Sequence, residues 1–414
     1  MPIGENRLWV VREASIDEEP EFCEATAEPP TPRRPLRRRR RALQFLLAVV
    51  LALAVAMMGA AVTHRWPFVA AARPDRPLQL VATLPYWNVP RDVGNILAHK
   101  ADLAVISPWI YGIDDRGRVD SMAPPADVAA IDAALARLSR AGVKLVPTVA
   151  NVTDGEWDYA GIIRVLRDPA RRARHVAELV DLAHTHGYSG IDIDYENFRS
   201  GDRTTFTSFI TELATALHSV GKTLSVDVFA KASDRGYDQR NVAQDYRALG
   251  QVADTVRVMA YDWHWSTSEP GPIAPITWVR DVLRYAMTQI PRRKIILGVP
   301  AYGYDWVGKR AELVSWLQAY GFEQKYGSPV HWDTHSQSPW LTYLSSDGKQ
   351  HVVWFENAYS SLIKIALARH NKIGGAYLWL AGDEDDLLWK RLSAADIDAV
   401  TKQMVAEHRL EQSP

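Results

Sequence analysis

Asp192, Asp194 and Glu196 occupy alternate positions of the segment 187–198, GYSGIDIDYENF, with Ile193 and Tyr195 between them. On a strand, alternate side chains share one face about 7 Å apart, so the three carboxyls form a column. Carboxyls that close in a low-dielectric interior cannot all ionise; at least one pKa rises, and the group titrates as a set. A carboxyl still protonated near neutral pH can act as a general acid. Glu196 is outermost and longest, which makes it the candidate acid. Asp194 would accept a hydrogen bond and pass protons along, with Asp192 as buried support. Two other readings stay open: a structural column matched in charge by Lys231 and Arg257, or a divalent-cation site. Only His264 lies near another candidate motif, so a histidine-rich metal site is not expected, and nothing calls for a cofactor.

Such a column needs a strand, and the sequence offers eight. Apolar, β-rich runs recur at 78–87, 101–111, 143–151, 189–196, 223–231, 255–263, 294–304 and 374–382. Between them lie amphipathic patterns such as 127–142, 171–187 and 203–221. Eight alternating units favour an α/β (β/α)8 TIM barrel over a doubly wound sheet, and no Gly-x-Gly-x-x-Gly follows the first run. Chemistry in such barrels sits at the C-terminal strand ends. There the sequence places Glu196, Tyr86 with Trp87, Trp109 with Tyr111, Tyr261 with Asp262, Tyr302 with Tyr304, and Trp379. That is a lining suited to a sugar ring. Trp263, His264 and Trp265 follow the sixth run and would either line an outer subsite or cap the barrel. A small α+β insertion, about 305–373, is expected between the last two strands, with a hairpin at SSDGK (345–349).

The chain has 414 residues, 47 % hydrophobic and 23 % charged, with a net charge of −1. That balance gives no reason to propose nucleic acid as a partner. Cys23 is the sole cysteine, so neither an intramolecular disulfide nor a cysteine-rich metal site is available. Residues 1–32 are acidic, and seven arginines follow between Arg33 and Arg41. From 42 to 62 the chain carries no charge; as a helix this run would be roughly 31 Å long, enough to span a bilayer. The arginines before it put the N-terminus in the cytoplasm. A cleaved signal peptide is the competing reading, and the length of the apolar run argues against it. The expected organisation is therefore a disordered cytoplasmic tail with a basic run (1–41), a single transmembrane helix (42–62), a linker (63–77), an extracytoplasmic barrel (78–395) and a C-terminal helix or tail (396–414).

SGIDIDYE (189–196) resembles the DGxDxDxE signature of family 18 glycoside hydrolases, the chitinase-like enzymes, whose fold is a (β/α)8 barrel. VMAYDWH (258–264), ILGVPAYGYDW (296–306) and GGAYLWLAGDED (374–385) resemble its strand-six, strand-seven and strand-eight segments. GPIAPITWVRDVL (271–283) and VVWFENAYSS (352–361) look most like the bacterial spore-cortex and peptidoglycan N-acetylglucosaminidase branch. The resemblance covers about 78–392. It implies Glu196 as proton donor, Asp194 orienting a 2-acetamido group with Asp192 beneath it, and Tyr261 bonding the acetamido carbonyl. It further implies Asp262 and Met259 at the sugar and Trp379 as its floor. The implied chemistry is substrate-assisted, the acetamido oxygen replacing an enzyme nucleophile, and the implied partner is an N-acetylglucosamine-containing polysaccharide. Ser189 stands where the signature has its first Asp; its parity differs from that of the column, so the change should alter packing more than chemistry. Two further readings remain: a non-catalytic glycan-binding barrel, whose relatives lose the terminal Glu or its Asp neighbour, and a scaffold subunit.

Overall fold

In the computed structural model, which describes residues 78–235 and 238–411, eight parallel strands close into a barrel. They are β1 (Gln79–Pro85), β2 (Val105–Ile113), β3 (Thr148–Ala150), β4 (Gly190–Asp194), β5 (Thr223–Phe229), β6 (Thr255–Met259), β7 (Ile295–Pro300) and β8 (Gly375–Trp379). Each pairs with its sequence neighbour, and β1 pairs with both β2 and β8, which closes the ring. Seven of the eight strands fall within the apolar runs, and β2 runs two residues past the end of its run at 111. The proposed membrane segment 42–62 lies outside the described residues; among those described, no helix is long and apolar enough to cross a membrane.

The helical layer follows from 3.6-residue spacing. Along α1 (Pro125–Arg140), Ile131, Ala134, Leu135 and Leu138 are buried, one stripe facing the sheet. In α2 (Pro169–Thr185) the stripe is His175, Val176, Leu179 and Ala183. Asp168 caps this helix by accepting from the N–H groups of Ala170 and Arg171. Helix α3 (Arg203–Ser219) buries Phe206, Phe209, Ile210, Leu213, Ala214 and Leu217. Each such aliphatic or aromatic side chain contributes about 1.5–3 kcal/mol by leaving water. The strand period of two sends Ile191, Ile193 and Tyr195 into this layer, all at 0 % exposure, where Tyr195 stacks on Phe209 at 5.6 Å. The column of acids therefore faces the other way, into the barrel.

Between β7 and β8 a five-stranded antiparallel sheet is inserted, running from Gly303 to Phe355, with the helix Trp316–Tyr326 packed on it. The hairpin expected at SSDGK joins Ser338–Leu344 to Gln350–Phe355. The insertion is shorter than the sequence expectation of 305–373, because the helix Ala358–His370 returns to the barrel. That helix buries nearly every side, including Lys364, which pairs with Glu356 at 2.7 Å with both side chains at 0 % exposure. It offers no polar face by which it could be told from part of a small domain.

Candidate active site

The strand register sets the column among its neighbours. Asp192 stands level with Thr148 on β3 and Ser225 on β5, and Asp227 on β5 is level with Arg257 on β6. Thr148 donates to Asp192 Oδ2 at 2.7 Å, Ser225 donates to Oδ1, and the Arg257 guanidinium reaches Oδ2 at 2.8 Å. Asp192 is thus buried, ion-paired support. The same guanidinium nitrogen bonds Ser107 on β2 at 2.8 Å, so Arg257 crosses the barrel interior. The charge-matching reading holds for Arg257 and fails for Lys231. Lys231 lies past the end of β5, where alternation no longer governs direction, and turns away to Asp234 (2.6 Å) and the carbonyls of Asn241 and Gln244.

One layer above, Asp194 accepts from Trp109 Nε1 at 3.1 Å, and its Oδ1 is buried without a hydrogen bond of acceptable geometry. Burial raises its pKa to about 7, with the charge of Asp192 adding to the rise and the Trp109 bond opposing it. Glu196 lies beyond the strand. Asn151, at the end of β3, clamps its backbone: the Glu196 N–H donates to Asn151 Oδ1 at 2.7 Å, and Asn151 Nδ2 donates to the Glu196 carbonyl at 3.3 Å. Asn197 follows at φ 60, which turns the chain sharply and leaves the glutamate at the rim. Glu196 is partly exposed and forms no ion pair among the described residues. Burial first, then the neighbouring Asp194, push its pKa well above the usual carboxylate range. The two carboxyls therefore resist ionising together, and the pair holds on to a proton above the usual carboxylate range.

The other rim residues converge on the same space. Tyr261 and Tyr377 share a hydrogen bond at 2.8 Å between hydroxyls. Gly298 of β7 makes room for them: a Cβ there would meet the Tyr261 ring at 2.8 Å and the Tyr377 hydroxyl at 3.0 Å. Asp262 is open to solvent as a residue, yet its carboxyl stands in a recess where Tyr302 donates at 2.6 Å and Tyr304 at 3.4 Å. Loss of bulk water there raises its pKa to about 6 against those two donors. Tyr302, Tyr304 and Trp306 form an apolar cluster that Tyr261, Trp354 and Trp379 join, so the inserted sheet walls the site on this side. Trp379 is partly exposed, its peptide to Leu380 is cis, and its ring meets that of Trp109 edge-on at 6.0 Å. Met259 and Tyr86 are partly buried: Met259 packs with Tyr261, Trp379 and Tyr377, and Tyr86 with Trp109 and Trp379.

Asp194, Glu196, Tyr261, Asp262, Met259, Trp379, Tyr86 and Trp109 thus gather at one barrel end, above Asp192. Trp109, expected against the sugar, is only 8 % exposed and acts instead on Asp194. Tyr111 turns outward to bond Tyr188 at 2.9 Å and is not in the site. Ser189 sits below β4, its carbonyl accepting from Thr223 N–H at 3.1 Å, roughly 20 Å down the chain from Glu196. Trp263 and Trp265 are 47 % and 41 % exposed beside the rim. Among the described residues, no group of acidic, histidine or cysteine side chains is placed to hold a metal ion.

A profile of the family "Glycosyl hydrolases family 18" matches residues 124–385, more than half of the sequence. The chain belongs to that family. It is 36 % identical over 284 residues to the "Putative sporulation-specific glycosylase YdhD" of Bacillus subtilis (strain 168), covering 66 % of this chain and 64 % of that one, just under two thirds of the relative's length. It is 29 % identical to the "Cortical fragment-lytic enzyme" of Bacillus cereus, over 77 % of this chain and 74 % of the other. A chitinase from Chromobacterium violaceum superposes with a TM-score of 0.70 at 30 % identity, over 80 % of this chain and 99 % of that one.

Three residues of this family-18 site escaped the sequence reading. Asp227 is 7 % exposed, and burial with the charge of Asp192 pushes its pKa well up. Its signal was available: Ser225 and Asp227 are alternate polar positions in an apolar strand, as in the column itself. Tyr377 shares that parity on β8. Asn151 gave no signal beyond its place at a strand end.

Proposed function

We propose that the protein is a glycoside hydrolase that cleaves β-linked N-acetylglucosamine-containing glycans by substrate-assisted, retaining catalysis, with Glu196 as general acid. The observation that carries this is the Asp194–Glu196 pair: two carboxyls stacked at the open end of the barrel, one raised to about 7 and the other pushed well above the usual carboxylate range. Glu196 gives its proton to the glycosidic oxygen. The 2-acetamido oxygen closes on the anomeric carbon in place of an enzyme carboxylate. Asp194, steadied by Trp109, takes charge as the acetamido nitrogen becomes cationic, and Tyr261 donates to the acetamido oxygen. Water then enters with Glu196, now ionised, as general base. Peptidoglycan is favoured over chitin and N-acetylated exopolysaccharide as the substrate, because the two relatives described above, at 36 % and 29 % identity, are named for sporulation and for cortex fragments. Residues 42–62 would tether the barrel outside the cell membrane, with the N-terminus cytoplasmic.

Glu196→Gln keeps the shape and removes the acid. It is expected to abolish turnover of a fluorogenic N-acetylglucosaminide while an N-acetylglucosamine oligomer still binds. Wild-type hydrolysis by this variant would reject the assignment. The second reading, a glycan-binding barrel without turnover, rests on the paired, fully buried Asp192; binding by the unaltered chain with no product would favour it.

A further inference from the structure

A pocket of about 410 Å3 lies outside the barrel, between the loop after β2, the helix Tyr159–Arg167 and α2. Arg116, Arg118, Arg164, Arg171 and Arg174 line it, against only Asp115 and Glu178. Arg118 pairs with Asp114 at 2.6 Å and Arg171 reaches Asp168 at 3.8 Å, while Arg116, Arg164 and Arg174 are exposed and form no ion pair among the described residues. The loop that carries Arg116 and Arg118 is an ordered turn. Asp114 accepts the backbone N–H groups of both Arg116 and Arg118, at 2.9 and 2.8 Å. Gly117, at φ 75, lets the loop close on the neighbouring helix, where a Cβ would stand 2.3 Å from Val165. Beneath lies His175, 2 % exposed, its Nε2 2.6 Å from the Tyr195 hydroxyl. Its Nδ1 has no hydrogen bond, the Glu178 carboxylate standing 3.7 Å away.

From this geometry we propose that the pocket binds a phosphorylated sugar, free or as a unit of an anionic glycan. Guanidinium forks match phosphate oxygens two at a time, and several converge here. Pockets of this size take small molecules rather than bare ions, which leaves room for a sugar ring beside the phosphate. The proposal does not depend on the role of Glu196. The pocket sits behind the catalytic strand, joined to it through His175 and Tyr195, not within the cleft.

Titration calorimetry of the full chain at low ionic strength tests it with glucose 6-phosphate, glucose and inorganic phosphate. Glucose 6-phosphate carries no acetamido group and so does not report on the cleft. It is expected to bind at least about tenfold more tightly than glucose, as one charge-assisted contact provides, and more tightly than inorganic phosphate, which lacks the ring hydroxyls. The double variant Arg164→Gln with Arg174→Gln is expected to lose about tenfold or more of that affinity with hydrolytic activity unchanged. Arg116→Gln, on the separate loop, is an independent probe with the same expectation. Equal binding of glucose and its phosphate, inorganic phosphate binding as tightly as the ester, or unchanged affinity in both variants overturns the proposal. Where the phosphate ester binds, comparing it with a phosphorylated polysaccharide of the same sugar separates the free from the polymeric source.

Discussion

The guanidinium of Arg257 meets the carboxylate of Asp192 at 2.8 Å, with the two side chains only 2 % and 0 % exposed. This is the one ion pair inside the barrel among the described residues that touches the acidic column, and three further carboxyls stand nearby: Asp194, Glu196 and Asp227. A single cation cannot offset four anions in a poorly solvated interior. It serves the deepest, and the carboxyls above and beside it have raised pKa values. The crowding of carboxyls above that pair, which the proposed chemistry uses, follows from where β6 places its arginine.

Arg257→Met leaves Asp192 buried without its partner. Breaking a buried pair from one side typically costs about 3–5 kcal/mol. Urea unfolding of the variant is expected to show a loss of that size, and activity is expected to fall with it. A change under about 1 kcal/mol, which is what exposed pairs give, would mean that the pair is offset by its neighbours rather than supporting the column.

The column was legible because its chemistry and its period agree. Three acids at alternate positions can only share a face in a strand, and the same alternation sent Ile193 and Tyr195 to the helices. Arg257 was found for the same reason, lying inside a strand. Lys231 was misplaced because the rule stops at the strand end, and its partners come from the loop and helix that follow. Asn151 and Tyr377 reach the site from strands 45 and 181 positions away from Glu196 in sequence, and only closure of the ring brings them there. The length of the insertion was misjudged because the helix Ala358–His370 is buried on nearly all sides and shows no amphipathic stripe.

Trp109→Phe keeps an aromatic ring and removes the N–H that favours ionised Asp194. A hydrogen bond to a charged group is worth about 1.5–3 kcal/mol, or roughly one to two pH units. Asp194, already raised to about 7, rises further without that donor. Activity requires the pair to lose its first proton, so the acidic limb of kcat/KM is expected to move upward by about one unit or more. A limb that stays in place would show that Asp194 does not set it.

Asp227 gives a stability prediction with a definite sign. Its folded pKa is raised above the unfolded value by burial and by Asp192. The folded state therefore holds a proton that the unfolded chain releases from about pH 4 upward. Stability from this group is intact below that pH and falls as pH rises toward the folded pKa. Asp227→Asn removes the titration and keeps the shape. Its melting temperature relative to wild type is expected to be higher at pH 8 than at pH 4. A difference independent of pH would mean that Asp227 titrates normally.

Substrate choice tests the proposed mechanism. Trp109 bonds one oxygen of Asp194, and Tyr302 and Tyr304 bond one oxygen of Asp262; the proposal gives neither carboxylate the role of nucleophile. In the proposed mechanism the substrate brings the nucleophile, and a tethered acetamido oxygen contributes an effective molarity on the order of 10⁵ M or more. Aryl β-glucosides, which lack that group, are expected to react slower than the matching N-acetylglucosaminides by a comparable factor, below detection in an ordinary assay. Rates within about tenfold of each other would place the nucleophile on the protein, and Asp194 would then have to be reassigned as an attacking group rather than a partner of the acetamido nitrogen.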